Sequence, residues 1–157
     1  MTQAAPADDA LAAFEAELLG GGTATRVLEA RVGGRIRAEA VGASSVAVGR
    51  GVRDLLACAA NEAVAHRHTR LMHGDVALSD ADLWYLPARL TAAMNHALAV
   101  GDTPFGAVIG ALGPTRRTIA MTRTAGAHVL YVRAIVLAAD GRPLALADER
   151  YARAALG

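Results

Sequence analysis

The residues whose type and spacing could do chemistry are arginines and a late pair of acids. Arg67 lies in the stretch 65–87 (AHRHTRLMHGDVALSDADLWYLP), where alternation gives it Thr69 and Leu71 as same-face neighbours. A guanidinium on an otherwise apolar face must meet an anion or leave its charge uncompensated, and its planar fork suits a carboxylate. With the faces reversed, Arg67 is simply solvated. Asp148 and Glu149 are adjacent in the last extended stretch, so only one of them can point into a pocket. Glu149 shares its face with Ala145, Ala147 and Tyr151, and Asp148 shares its face with Leu144, Leu146 and Arg150. The smaller neighbours favour Glu149. A partly desolvated acid in that setting could donate a proton to a leaving group, whereas on the surface it would pair with Arg150 or Arg153. The sequence therefore predicts Arg67 and one of these acids facing each other across a small-molecule pocket.

Other residues stand around this pair. Arg116, Arg117, Arg123 and Arg133 are further candidates for binding anions, with Arg117 and Arg133 on faces that read as buried. Trp84 and Phe105 are pocket walls or core. His66 and His68 share a strand face with Arg70, but a metal needs a third ligand that neither His73 nor His96 is placed to give, so no metal is expected. The single cysteine, Cys58, excludes an internal disulfide and a CxxC site. All sixteen basic residues are arginine, so no lysine Schiff base can form and fixed cationic contacts are guanidinium. GxGxxG after a strand, GxxxxGK[ST], HExxH and GxSxG are missing, which removes the usual support for nucleotide, zinc-protease and serine-hydrolase readings.

The elements that must position these residues follow from periodicity. Residues 1–9 read as a loose tail and 11–19 as a helix with Leu11, Phe14, Leu18 and Leu19 near one stripe. Gly20, Gly21 and Gly22 stop it, and Thr23 caps a second helix to about residue 31. Residues 35–41 alternate as a half-buried strand, whereas 42–62 fit more than one element, with 42–52 loop-like. Two strands joined at His73-Gly74-Asp75 span 64–72 and 76–86, the second irregular near Ser79-Asp80. A helix over 89–99, a Pro-Phe-Gly turn at Pro104, Phe105 and Gly106 with one or two helical turns, and three more strands complete the chain. The predicted fold class is α+β, a single mostly antiparallel sheet of about five or six strands with flanking helices on one side.

At 157 residues the chain reads as a single domain, 1–157. With 54% hydrophobic and 20% charged residues it is ordered and globular, and a net charge of +1 argues against a nucleic-acid partner. The N-terminal stretch carries Asp8, Asp9, Glu15 and Glu17 with no basic leader or apolar core, which predicts a cytoplasmic protein. No apolar run is long enough to span a bilayer, so no membrane partner is expected.

The order of these features carries a resemblance. An arginine-bearing strand with a polar turn (RHTRLMHGD) leads to a strand ending in WYLP, a helix, GDTPFG, TRRTIAM, a long strand with Arg133, and GRPLALADERY. Over about residues 23–152 this resembles the chorismate pyruvate-lyase family, whose fold is shared with the ligand-binding domains of some transcription regulators. The resemblance implies a chorismate lyase-like sheet enclosing its ligand under mobile flaps. It also implies a cofactor-independent lyase that removes pyruvate from chorismate to leave 4-hydroxybenzoate. The family's strand arginine falls on Arg67, to bind a substrate carboxylate. Its last-strand glutamate falls near Glu149, to assist departure of the ether oxygen; a rigid count from the GRP turn lands on Asp148. The turn at Phe105 and Gly106 matches the family's turn beside the pocket, so that with Trp84, Arg117 and Arg133 these residues form the expected substrate contacts. The sequence departs from the enterobacterial pattern at Leu83, where a second arginine would precede the closing proline. A secondary-metabolism cyclase or dehydratase with a less charged substrate, and a small-molecule-sensing domain without catalysis, share the fold. A sensor is normally joined to a helix-turn-helix, for which the roughly 22 residues before the region of resemblance are too few. The expected partner is a small carboxylate, and the expected state a monomer or homodimer.

Overall fold

Glycine and proline punctuation divides the chain into short elements, and the computed structural model describes residues 6–41 and 48–157 of it. The first helix, α1 (Pro6–Leu19), buries Leu11, Phe14 and Leu18. It starts earlier than the sequence predicts, so residues 6–9 are helical rather than a tail, and residues 1–5 lie outside the described residues. The reason is local: Pro6 suits a first helical turn, and Asp8 and Asp9 meet its positive end. Helix α2 (Ala24–Val32) is capped by Thr23, whose side chain accepts from the Arg26 N–H at 3.3 Å. It ends at Gly33 in the left-handed conformation, φ 65°. Arg31 on α2 ties three parts together: its fork meets both oxygens of Glu17 at 2.7 and 3.1 Å, and it donates to Leu156 O at 2.8 Å. The same guanidinium lies 5.4 Å from the centre of the Phe14 ring.

The strands are β1 (Arg37–Ala40), β2 (Ala65–His73), β3 (Val76–Tyr85), β4 (Thr115–Arg123), β5 (His128–Leu137) and β6 (Pro143–Ala152). They form one six-stranded sheet in the order β1-β2-β3-β6-β5-β4, antiparallel throughout. Gly74, at φ 59°, makes the β2–β3 turn, and the irregularity expected near Ser79 is a register shift opposite Leu71 and Met72. A second bulge, between Thr118 and Ala120, turns Ile119 outward to 41% exposure.

Between β1 and β2, helix α3 (Arg50–Leu55) resolves part of the ambiguous region; residues 42–47 of the expected loop lie outside the described residues. Arg89 fixes this region to the sheet. It donates to Leu56 O at 3.2 Å, Ala57 O at 3.1 Å and Pro143 O at 2.9 Å, and pairs with both oxygens of Glu62. Helices α4 (Ala92–Val100) and α5 (Phe105–Val108) follow, the first capped by Thr91. Met94 and Ile109 pack there on Ala138 and Leu144 at one end of the sheet.

Side-chain alternation gives the sheet two unlike faces. The inner face carries Thr69, Leu71, Leu83, Val132, Ala134, Ala147, Glu149 and Tyr151, and α1 and α2 close much of it with Phe14, Leu18 and Leu28. The outer face carries His66, His68, Arg70, Asp80, Asp82, Arg133, Asp148 and Arg150. Among the described residues that face is roofed at one end, where Leu56 beyond α3 packs with Trp84, Ile135 and Leu146. Helices were expected on one side; α3 and its flank are the departure.

Candidate functional site

The inner face is not wholly filled. A cavity of about 70 Å³ lies between the sheet, the start of α2 and the Pro104-Phe105-Gly106 turn. Its sheet wall is made by small and apolar side chains, among them Thr69, Leu71, Ser79, Ala81, Leu83 and Ala147. The opposite wall depends on close approach at Gly106, where an added Cβ would come within 3.0 Å of Thr23 Cβ. Two further clefts of about 420 and 590 Å³ adjoin it, the first sharing Thr23, Thr25 and Gly106 and the second sharing Pro104.

Arg116 and Glu149 are the charged residues that line the cavity. Arg116 reaches from β4 across the face of β5 to β6, and its two terminal nitrogens donate to the two carboxylate oxygens of Glu149, one of them at 3.0 Å. Their side chains are 3% and 10% exposed, so this is a buried ion pair. Burial works against the Arg116 charge, but Glu149, with help from Tyr151, outweighs it and raises the arginine's pKa. Tyr151 is fully buried beside the pair, and burial, with Glu149, pushes its hydroxyl well above the ordinary range. Its ring meets Phe14 edge-on at 5.0 Å. Among the described residues, Arg116 Nε and Tyr151 Oη make no well-aligned hydrogen bond, yet the Tyr151 hydroxyl lies within interaction reach of both Arg116 and Glu149.

Arg67 does not line the cavity but neighbours it on the sheet. It shares the inner face with Thr69 and sits opposite Leu83, both of which line the cavity. It is half-buried, and burial lowers its pKa, offset in part by Tyr85, whose ring lies 5.7 Å from that of Phe105. Among the described residues no carboxylate pairs with it. Residues 1–5 (MTQAA) and 42–47 (GASSVA) contain no acid either, so the chain supplies no side-chain counter-ion for this guanidinium.

The sequence-predicted residues thus divide. Glu149, Phe105 and Gly106 line the cavity, whereas Arg67 is not among its lining residues and is not paired with Glu149, whose carboxylate Arg116 holds. Asp148 faces the other way and is corrected here: it accepts from Arg133 at 2.6 and 2.7 Å and from Tyr131 Oη at 3.1 Å on the outer face. Arg133 is corrected with it, since its pKa is raised first by that hydrogen bond and its fork is already filled. Arg117 is exposed on the edge strand and paired in register with Ile135, away from the cavity. Trp84 is core on the outer face, packed with Leu56 and Leu146. Arg116, which the sequence reading placed only among general anion binders, is the arginine that lines the cavity. The bulge after Thr118 hides it, because it breaks the alternation from which Arg117 was grouped with Met121.

The outer face uses its charges differently. His66 Nε2 lies 2.8 Å from Asp82 and His68 Nε2 lies 2.8 Å from Asp80. Arg150 bridges both acids at 2.6 and 3.2 Å, and Arg70 adds a contact to Asp80 at 3.3 Å. Among the described residues no group of three His, Cys, Asp or Glu is arranged to hold a metal, and no helix is long and apolar enough to cross a membrane.

Comparison with known proteins places this geometry. The six-stranded antiparallel sheet superposes on PhnF from Mycobacterium smegmatis with a TM-score of 0.60 at 14% identity, over 85% of this chain and 65% of that one. The effector domain of the same protein gives 0.59 at 13% identity, over 83% of this chain and 88% of that domain. The ligand-binding domain of a GntR-family transcriptional regulator from Bordetella bronchiseptica gives 0.51 at 18%, over 74% and 82%. The likeness is one of fold. The α+β architecture is that of the regulators' ligand-binding domains, compatible with the chorismate lyase-like fold expected from the sequence. In sequence, the uncharacterised protein y4mC of Sinorhizobium fredii is 47% identical over 68 residues, 43% of this chain but only 29% of that protein's length. No protein-family model matches the chain.

Proposed function

We propose that this chain is a small-molecule-binding domain of the sensing kind, whose ligand brings a carboxylate to Arg67. The observation that carries the reading is the half-buried guanidinium of Arg67, left without a counter-ion beside an apolar cavity. Holding an unpaired charge there costs stability, and a ligand anion would recover that cost on binding. The wall made by α2 and the Phe105-Gly106 turn supplies the means of response. A ligand seated between this wall and the sheet would add to the packing of Leu28 and Phe105 on the sheet and so favour one arrangement of these elements. The names of the structural neighbours, effector domain and ligand-binding domain, support the same reading.

Removal of pyruvate from chorismate, which the sequence resemblance implies, asks for more. It needs an acid presented to the ether oxygen and cations for two carboxylates. Here both oxygens of Glu149 are engaged by Arg116, and Leu83 stands where a second arginine would be expected. Binding without bond cleavage therefore has the better support.

The test has two parts. Thermal-shift screening of small organic carboxylates should find ligands that raise the unfolding midpoint of the wild type but not of Arg67→Met. Incubation with chorismate should give no rise in 4-hydroxybenzoate absorbance at high protein concentration. Enzyme-dependent turnover would overturn the non-catalytic reading, and equal stabilisation of the variant would overturn the role of Arg67.

A further inference from the structure

We infer that the cavity takes the uncharged, polyhydroxylated part of a ligand, a saturated ring of the sugar or cyclitol kind with one apolar face. The inference rests on the ligand-binding reading above and names the body that enters the cavity, a space that Arg67 does not line.

Unpartnered hydroxyls decide the matter. Thr25, at the start of α2, and Ser79, on β3, line the cavity and are 6% and 3% exposed. Among the described residues neither hydroxyl has a hydrogen-bond partner. A buried hydroxyl left in this way is costly, and a ligand group that bonds to it removes the cost. Thr25 Oγ1 belongs to the wall built by α2 and the Phe105-Gly106 turn, since a Cβ added at Gly106 would come within 3.3 Å of it. Ser79 belongs to the sheet wall. There Ala81 pairs with Thr69 on one side and Glu149 on the other, and Ser79 stands two residues before it on the same face. The small Ala81 is thus ringed by two hydroxyls and a carboxylate, with the Thr25 hydroxyl in the facing wall.

Charge and shape narrow the class. Arg116 and Glu149 cancel each other, so an ion entering beside them would lose its water without net attraction. A neutral hydroxyl meets no such penalty. It both donates and accepts, as the lining hydroxyls do, so it can match each of them in either sense. A ketone only accepts, and an ammonium only donates. Leu71, Leu83, Val136 and Phe105 supply apolar wall, which suits the C–H face of a saturated ring. The 70 Å³ volume holds about five water-sized groups, and the adjoining clefts of about 420 and 590 Å³ leave room for substituents.

Four ring compounds separate the possibilities. Methyl β-D-glucopyranoside and myo-inositol are uncharged polyols, tetrahydropyran-2-methanol lacks the ring hydroxyls, and cyclohexanecarboxylate has a charge but no hydroxyl. Each would be titrated calorimetrically into the full chain and into Ser79→Ala, Thr25→Val, Thr25→Ser and Arg67→Met, after circular dichroism shows that the variants are folded. At least one polyol should bind, and tetrahydropyran-2-methanol should bind at least tenfold more weakly. Ser79→Ala and Thr25→Val should each weaken the polyol about fivefold, and Thr25→Ser, which keeps the hydroxyl, should bind as the wild type does. Polyol affinity indifferent to both hydroxyl deletions would overturn the inference. So would binding of cyclohexanecarboxylate, lost in Arg67→Met, with no binding of either polyol; that result would leave the carboxylate reading standing. Polyol binding without any response to the carboxylate would uphold the inference and remove the role of Arg67. Failure of all four compounds would overturn both.

Discussion

Both faces of the sheet carry arginines and carboxylates, but the outer face pairs them and the inner face leaves one over. On the outer face Asp80, Asp82 and Asp148 each accept from arginine, and the two histidines add to the first two. These are partly solvated pairs, worth little individually, whose role is to hold neighbouring strands in register. On the inner face one pair, Arg116 with Glu149, is buried, and Arg67 has no carboxylate partner among the described residues. The difference teaches where to look for a ligand. Satisfied charges describe a surface, and an unsatisfied, desolvated charge beside a cavity describes a site.

The largest effect should come from breaking the buried pair. Glu149→Gln leaves Arg116 charged and enclosed, and should cost about 3–5 kcal/mol in urea unfolding, whereas Asp148→Asn on the outer face should cost under about 1 kcal/mol. Equal losses would mean that the two faces are not different environments. Replacing both partners, as Arg116→Met with Glu149→Leu, should restore most of the loss, because the penalty lies in the orphaned charge.

Next in size is Arg67→Met. Carboxylate affinity should fall at least tenfold, as expected for a charged hydrogen bond of about 1.5–3 kcal/mol. The unfolding midpoint of the free protein should hold or rise, since a desolvated cation is removed. A stability loss like that of Glu149→Gln would show that Arg67 has a structural partner after all.

The sequence made much of this frame legible. Glycine turns at Gly74 and Gly141, with alternation on either side, located both hairpins that build the middle of the sheet. Alternation also put Arg67 with Thr69 and Glu149 with Ala147, which is their arrangement on the inner face. What it could not convey was register. A one-residue bulge after Thr118 exchanges faces, so Arg117 read as inward when Arg116 is, and nothing in the residue types announces such a bulge. Asp148 and Arg133 were candidates for a ligand because sequence cannot show that they sit directly opposite each other on β6 and β5. Residues 42–62 stayed ambiguous, and in their described part the reason is that α3 is short and is fixed by distant groups, above all the carbonyl contacts of Arg89.

A smaller effect concerns acid. Burial works to raise the Asp80 carboxyl, but hydrogen bonds from Arg150 and His68 outweigh it and hold its pKa at about 2. Because the unfolded value is near 4, this stabilisation is complete above about pH 4 and is lost as pH falls toward 2. After allowance for solvent screening it is on the order of 1 kcal/mol. Asp80→Asn should flatten that part of the acid limb in unfolding measured between pH 5 and pH 2; an unchanged limb would remove Asp80 from the outer lattice. Smallest of all, Gly106→Ala forces a Cβ to within 3.0 Å of Thr23 and should cost about 1 kcal/mol, with ligand affinity reduced a few-fold. A neutral result would show that the wall beside the cavity yields freely.

The most direct measurement is a crystal structure of the protein soaked with a small carboxylate selected by the thermal-shift screen. The account predicts the carboxylate in the fork of Arg67 at about 3 Å, with the Arg116–Glu149 pair intact. A carboxylate seated on Arg116 with Glu149 displaced, or a ligand bound only on the outer face, would contradict it.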